Sequence, residues 1–183
     1  MTLDARELLN WRYGVCPIGA AAERFGPFAP VVDLWRGRIP DGRLLPGRGA
    51  FDVVDFKPWL GRIFIARVER EPFDLRFVLW GVTLSAWWGV DYTNKTLGSE
   101  SNNPELWRLV ELAYFQEMER APFIGLSHGY LDQHDRSHIK VMGLDLPLGE
   151  GDRLEHVLSF HMRIELKQTP ESLMPDCPIA RYF

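Results

Sequence analysis

A chain of 183 residues is long enough to bury about two-thirds of its extended surface around one core. A hydrophobic fraction of 46% and seven tryptophans exclude a disordered segment, and no apolar run reaches the roughly 18 residues of a membrane-spanning helix. The net charge of -4, without a Lys/Arg stripe, gives nucleic acid no electrostatic footprint.

The start, MTLDARELLNWRYG, is too polar for the apolar core of a secretory signal, so the expected compartment is the cytoplasm. Residues 4–12 read as a short helix with Leu8, Leu9 and Trp11 on its apolar side. Cys16 and Cys177, each followed by proline, are too few for a disulfide scaffold or a zinc finger and read as unpaired thiols. A second helix is predicted over residues 29–38, where Pro30 suits a first turn and Val31, Leu34 and Trp35 recur at helical spacing. Glycines and prolines between 37 and 49 then impose a winding connection, and Asp52 reads as the cap of a brief turn through Phe56.

From Leu60 onward the alternation tightens. Ile63 and Ile65 share one parity, Phe64, Ala66 and Val68 the other, and a polar turn at 69–72 leads into a second strand beginning at Leu75. Gly81 ends that strand, Thr83 reads as the cap of a one-turn helix through Trp88, and Gly89 stops it. Asp91, Tyr92, Thr93 and Asn94 form a predicted turn in which the Asp91 or Thr93 oxygen caps backbone amides and Asn94 tolerates a left-handed conformation. A longer helix starts after Asn102 or Asn103, takes Pro104 in its first turn, and carries the stripe Leu106, Leu109, Val110, Ala113 and Tyr114. Strands over 123–132 and 137–146 flank a polar turn. The last strand alternates Leu154, His156, Leu158, Phe160, Met162, Ile164 and Leu166 with Glu155, Val157, Ser159, His161, Arg163 and Glu165. This order predicts an antiparallel sheet of five strands with helices on one face.

That order, and the fragment FVLWGVTLSAWWGVDYTNKTLG, resemble the PAS_5-type bacterial subgroup of PAS domains. The matching positions are Gly81, Gly89, Asp91 and Thr93, with Asn94 where the pattern usually has glycine, and a lead-in through Leu45, Pro46, Arg48 and Asp52. The resemblance spans about residues 34–166. It implies an α+β fold with a PAS-like five-stranded antiparallel sheet, helices on one face of it, and an N-terminal helical extension. The domain reading is an extension over 1–58, a PAS-like core over 59–168 and a C-terminal tail over 169–183. It also implies a sensory or protein-interaction module around a small cavity.

No residue set selects a catalytic chemistry. His128, His134 and His138 cluster at a hairpin, where alternation sends side chains outward and not onto the one helix face that a metal pair needs. The serines lack a nucleophile elbow, the glycines lack P-loop spacing, and neither a dinucleotide fingerprint nor a flavin-photosensor cysteine motif occurs. No cofactor and no metal is therefore expected. The expected ligand pocket consists of Phe77, Trp80, Trp87, Trp88, Tyr92, Asp145 and His156, the aromatics either lining it or filling it.

The reading from sequence is a non-enzymatic module that takes a small apolar or amphipathic ligand, without nucleic-acid or membrane partners. It pairs with itself or with a signalling protein, through an exposed sheet face around Val157. Its rival is a small cone-like isomerase or hydratase using Asp91, Asp145 or His156 as acid or base.

Overall fold

The computed structural model describes residues 10–183. In chain order the strands are β1 (Trp11–Cys16), β2 (Ile63–Arg70), β3 (Phe73–Trp80), β4 (Ile124–Leu131), β5 (Arg136–Glu150), β6 (Arg153–Ile164) and β7 (Arg181–Tyr182). They form one antiparallel sheet in the order β3-β2-β6-β5-β4-β1-β7. The helices are α1 (Ala29–Gly37), α2 (Val82–Trp88), α3 (Pro104–Arg120) and the short α4 (Pro170–Leu173).

An α+β architecture with an antiparallel sheet is present, but the five-stranded PAS arrangement is corrected: the sheet has seven strands. β1 runs antiparallel to β4 from Trp11↔Gly129 to Cys16↔Ile124, and β7 adds to the outer edge of β1. The expected helix over 4–12 falls partly outside the described residues, and its last two positions, Trp11 and Arg12, lie in β1. A six-residue strand and a two-residue strand are too short to show a period beside their glycines and prolines.

Helices do not sit on one face only, which is a second correction. Phe64, Ala66, Val68, Leu75 and Phe77 pack with α2 and α3 on one side of the sheet. Ile63, Ile65, Leu144, Leu158 and Phe160 pack on the other side with Phe28, Trp35 and Phe56 from the N-terminal segment. Trp35 anchors that second layer by donating its indole N–H to the Pro147 carbonyl at 2.9 Å. Burial on both faces explains why β2 is apolar at both parities over Ile63–Ala66. It also overturns the outward Val157 face expected for pairing, since Val157 is fully buried against the α3 layer.

Local signals read from sequence are mostly found in place. Asp52 and Asp55 form a reciprocal capping box at the 3-10 turn Val53–Trp59. Asn103 accepts from the Leu106 amide at 3.3 Å to start α3. Gly89 takes a left-handed φ of 77° to end α2, although the residue preceding that helix is Gly81 and Thr83 caps nothing. Asp91 accepts from the Thr93 amide at 2.8 Å and the Thr93 hydroxyl at 2.6 Å, and Asn94 adopts a φ of 65°. The α3 stripe is rotated from its expected setting. The inward residues are Trp107, Val110, Glu111, Tyr114, Phe115 and Met118, while Leu109 is 64% exposed.

Candidate functional site

The sheet face under α2 and α3 holds an internal cavity of about 50 Å3. Every strand except β7 contributes to its wall. Trp11, Phe64, Phe77, Trp80, Trp88 and Tyr92 make an aromatic lining, with Trp107 and Phe115 from α3. Trp80 stacks on Phe64 at 5.7 Å between ring centres and meets Trp88 edge-on at 5.5 Å, while Trp88 meets Trp11 edge-on at 6.4 Å.

A polar strip runs across the floor. In register along one row lie Tyr13 of β1, Ser127 of β4, Gly143 of β5 and His161 of β6. A Cβ on Gly143 would lie 2.9 Å from both the Ser127 hydroxyl and the His161 ring, so the missing side chain leaves room for both. One step along the strands, Asp145 accepts from the Ser159 hydroxyl at 2.6 Å and from the Tyr114 hydroxyl at 3.1 Å. Tyr13 donates to Glu111 Oε1 at 2.8 Å.

Burial controls the protonation of this strip. Desolvation lifts the Glu111 carboxyl to about 7, against the opposing hydrogen bond from Tyr13, and it also raises Asp145 against the hydrogen bonds from Ser159 and Tyr114. Desolvation lowers His161 to about 3, so its imidazole is neutral at physiological pH. The cavity lining therefore holds weak acids and a neutral base, and among the described residues no Lys or Arg side chain lines it, the nearest cation at Glu111 being Arg108 outside the lining.

Several cavity-lining groups lack partners. Among the described residues Trp11 Nε1, Trp80 Nε1, Gln133 Oε1 and His161 Nδ1 have no hydrogen-bond partner, and each of these residues is over nine-tenths buried. An unsatisfied buried polar group costs about 1–3 kcal/mol, so four of them together approach the whole stability of a typical domain. Groups of this kind normally meet ordered water or a ligand. A more open cleft of about 360 Å3 lies outside and shares Trp88, Ser101 and Gln133 with the cavity, giving a short way in.

Of the residues expected at the pocket, Phe77, Trp80, Trp88, Tyr92 and Asp145 do line this cavity. Trp87 does not: it packs half-buried against the same core but outside the cavity. His156 lies on the opposite sheet face, half-buried, with its pKa lowered by burial and then by the nearby charge of Arg48. The cavity belongs to the Val157, Ser159 and His161 parity of β6, and a bulge between Leu148 and Gly149 puts Leu154 on that side too. Tyr13, Glu111, Gln133 and His161 were not expected there. A strand that looks apolar on one face and polar on the other gives no hint that its polar face is also covered.

The clustered histidines are dispersed. His138 is exposed, His128 is buried with Nε2 unpartnered, and His134 Nε2 faces the Tyr92 hydroxyl at 3.3 Å. Among the described residues no group of three His, Cys, Asp or Glu side chains is placed to hold a metal ion. Nor is any described helix long and apolar enough to cross a membrane.

Comparison with models of known protein families, with curated proteins and with solved structures finds no match to this chain.

Proposed function

We propose that the protein is a small-molecule-binding module whose inner cavity encloses a compact, uncharged solute carrying both a hydrogen-bond acceptor and a donor. The observation that carries this reading is the convergence of two free indole N–H groups, the free Gln133 oxygen and the free His161 nitrogen on one aromatic cavity. An acceptor oxygen answers the indoles, which can only donate, and an N–H or O–H answers Gln133. A free anion is disfavoured beside two buried carboxyls. The volume is about a third of the 150 Å3 cavity known to accept six-carbon benzene, so by itself it takes about two heavy atoms or one to two waters, and a solute of four or five heavy atoms extends past Gln133 into the adjoining cleft of about 360 Å3. At no more than about 1.5 kcal/mol per heavy atom, such a ligand binds no tighter than the micromolar range. The likeness of residues 75–98 to PAS_5-type sequences supports a sensory use of this binding, with the occupied state read by a partner.

The test is a titration of the protein with acetamide, urea and hydroxyacetone, followed by thermal shift and calorimetry. Saturable binding of at least one, weakened tenfold by Gln133→Leu, supports the module; no saturable binding by any of them removes it.

One observation favours a second reading. A cavity-facing carboxyl lifted to about 7, as in Glu111, has the acidity that a general acid or base requires near neutral pH. An isomerase of this kind would exchange the carbon-bound protons of hydroxyacetone with deuterated water, and Glu111→Gln would abolish that exchange while leaving binding in place.

A further inference from the structure

The opposite face of the sheet carries a second, larger recess of about 320 Å3. Its walls are Phe51, Phe56, Ile63, Ile65, Leu148 and Leu158, drawn from the 3-10 turn Val53–Trp59 and its lead-in, and from β2, β5 and β6. Its mouth is edged by Val53, Leu60 and Val82, which are 63%, 50% and 79% exposed. Large aliphatic groups at such exposure around one recess mark a surface that gains by being covered. Among the described residues Arg48 is the single charged residue in the lining, and no carboxylate pairs with it.

The geometry points to a binding groove for a monoanionic amphiphile, an aliphatic chain in the recess with its carboxylate on Arg48. Size and charge both select this ligand. The recess has about twice the volume of an apolar cavity that accepts six-carbon benzene, so it takes a chain of about ten to twelve carbons. Apolar walls of this kind give affinity without direction, and one unpaired guanidinium at the rim supplies the direction by binding a carboxylate fork to fork. Trp80 lines both this groove and the inner cavity, so the chain end would touch the back of the wall that encloses the compact solute.

The test is calorimetric titration of the full chain with dodecanoate, held below its aggregation concentration. The expected result is saturable one-to-one binding, with dodecyltrimethylammonium at least tenfold weaker. Arg48→Glu and Val82→Glu each weaken dodecanoate tenfold or more, whereas Leu109→Glu, exposed on the outer face of α3, changes it less than twofold. Far-UV melting confirms that each variant is folded. Absence of saturable binding overturns the inference, as does equal affinity for the anionic and cationic chains or an unchanged Arg48→Glu. Sedimentation showing a dimer that excludes dodecanoate overturns it too, since a second copy would then fill the groove.

Discussion

The Tyr114 hydroxyl reaches Asp145 Oδ2 at 3.1 Å by passing over Gly125, where an added Cβ would lie 1.8 Å from that hydroxyl. Tyr114 and Asp145 are both buried, so the contact cannot relax into solvent. Gly125→Ala is expected to destabilise the fold by about 3 kcal/mol through overpacking and loss of the Asp145 partner. Urea denaturation measures this. In a Tyr114→Phe background, where the clashing oxygen is gone, Gly125→Ala should cost markedly less, and additive effects would show that the two residues do not compete for this space.

Glu111 makes stability depend on pH in a defined direction. Its carboxyl is lifted from 4.5 to about 7 in the fold, first by burial and then by the charge of Asp145. Between those values the unfolded chain releases a proton that the folded chain keeps, so stability falls as pH rises through the window, by on the order of 3 kcal/mol. Glu111→Gln removes this loss while still accepting from Tyr13. The variant should gain stability relative to wild type between pH 5 and pH 8. The opposite limb from His161, whose pKa is lowered to about 3, is common to both proteins and cancels. A stability difference that is flat across this range, measured by chemical denaturation, contradicts the assignment.

The two thiols should differ in reactivity. Cys16 is fully buried, and Cys177 packs against the same core at its edge. The hydrogen bond between them holds the Cys177 thiol below its ordinary acidity range, while the same bond, followed by burial, pushes Cys16 up. Iodoacetamide at pH 8 should therefore label Cys177 at least tenfold faster than Cys16, read by peptide mass spectrometry. Equal labelling would contradict the contact.

Much of the fold was legible because its signals are local. The caps at Asp52 and Asn103, the left-handed exit at Gly89 and the turn at Asp91 each depend on a few neighbouring residues, and all are read correctly from them. What was not legible is which face of each element is covered. β6 alternates apolar with polar, and nothing in that period reveals that Ser159 and His161 on its polar side are buried under α2 and α3. The same ambiguity set His156 in the pocket, and the stripe Leu106, Leu109, Val110, Ala113 and Tyr114 left Glu111 unmentioned. β7 was missed for a different reason, being two residues that pair only because β1 offers an edge. The aromatic half of the cavity was readable, since Phe77, Trp80, Trp88 and Tyr92 fall close together in sequence; the polar half comes from distant strands.

Gly143 supplies a test of the cavity floor. A methyl group there would press on Ser127 and His161 at 2.9 Å and intrude on the space the solute needs. Gly143→Ala is expected to weaken solute binding at least tenfold with a stability loss of about 1–3 kcal/mol. Unchanged binding in a folded variant would place the solute elsewhere.

The most direct measurement is the indole N–H spectrum of the nitrogen-15-labelled protein during titration with acetamide, urea and hydroxyacetone. Trp11→Phe and Trp80→Phe assign the two free indoles among the seven tryptophans. With at least one of these solutes both resonances are expected to shift together and saturate at one equivalent per chain, while the Trp35 indole, bonded to Pro147 on the opposite face, stays in place. Shifts confined to other tryptophans, or none that saturate, would contradict a ligand site at this cavity.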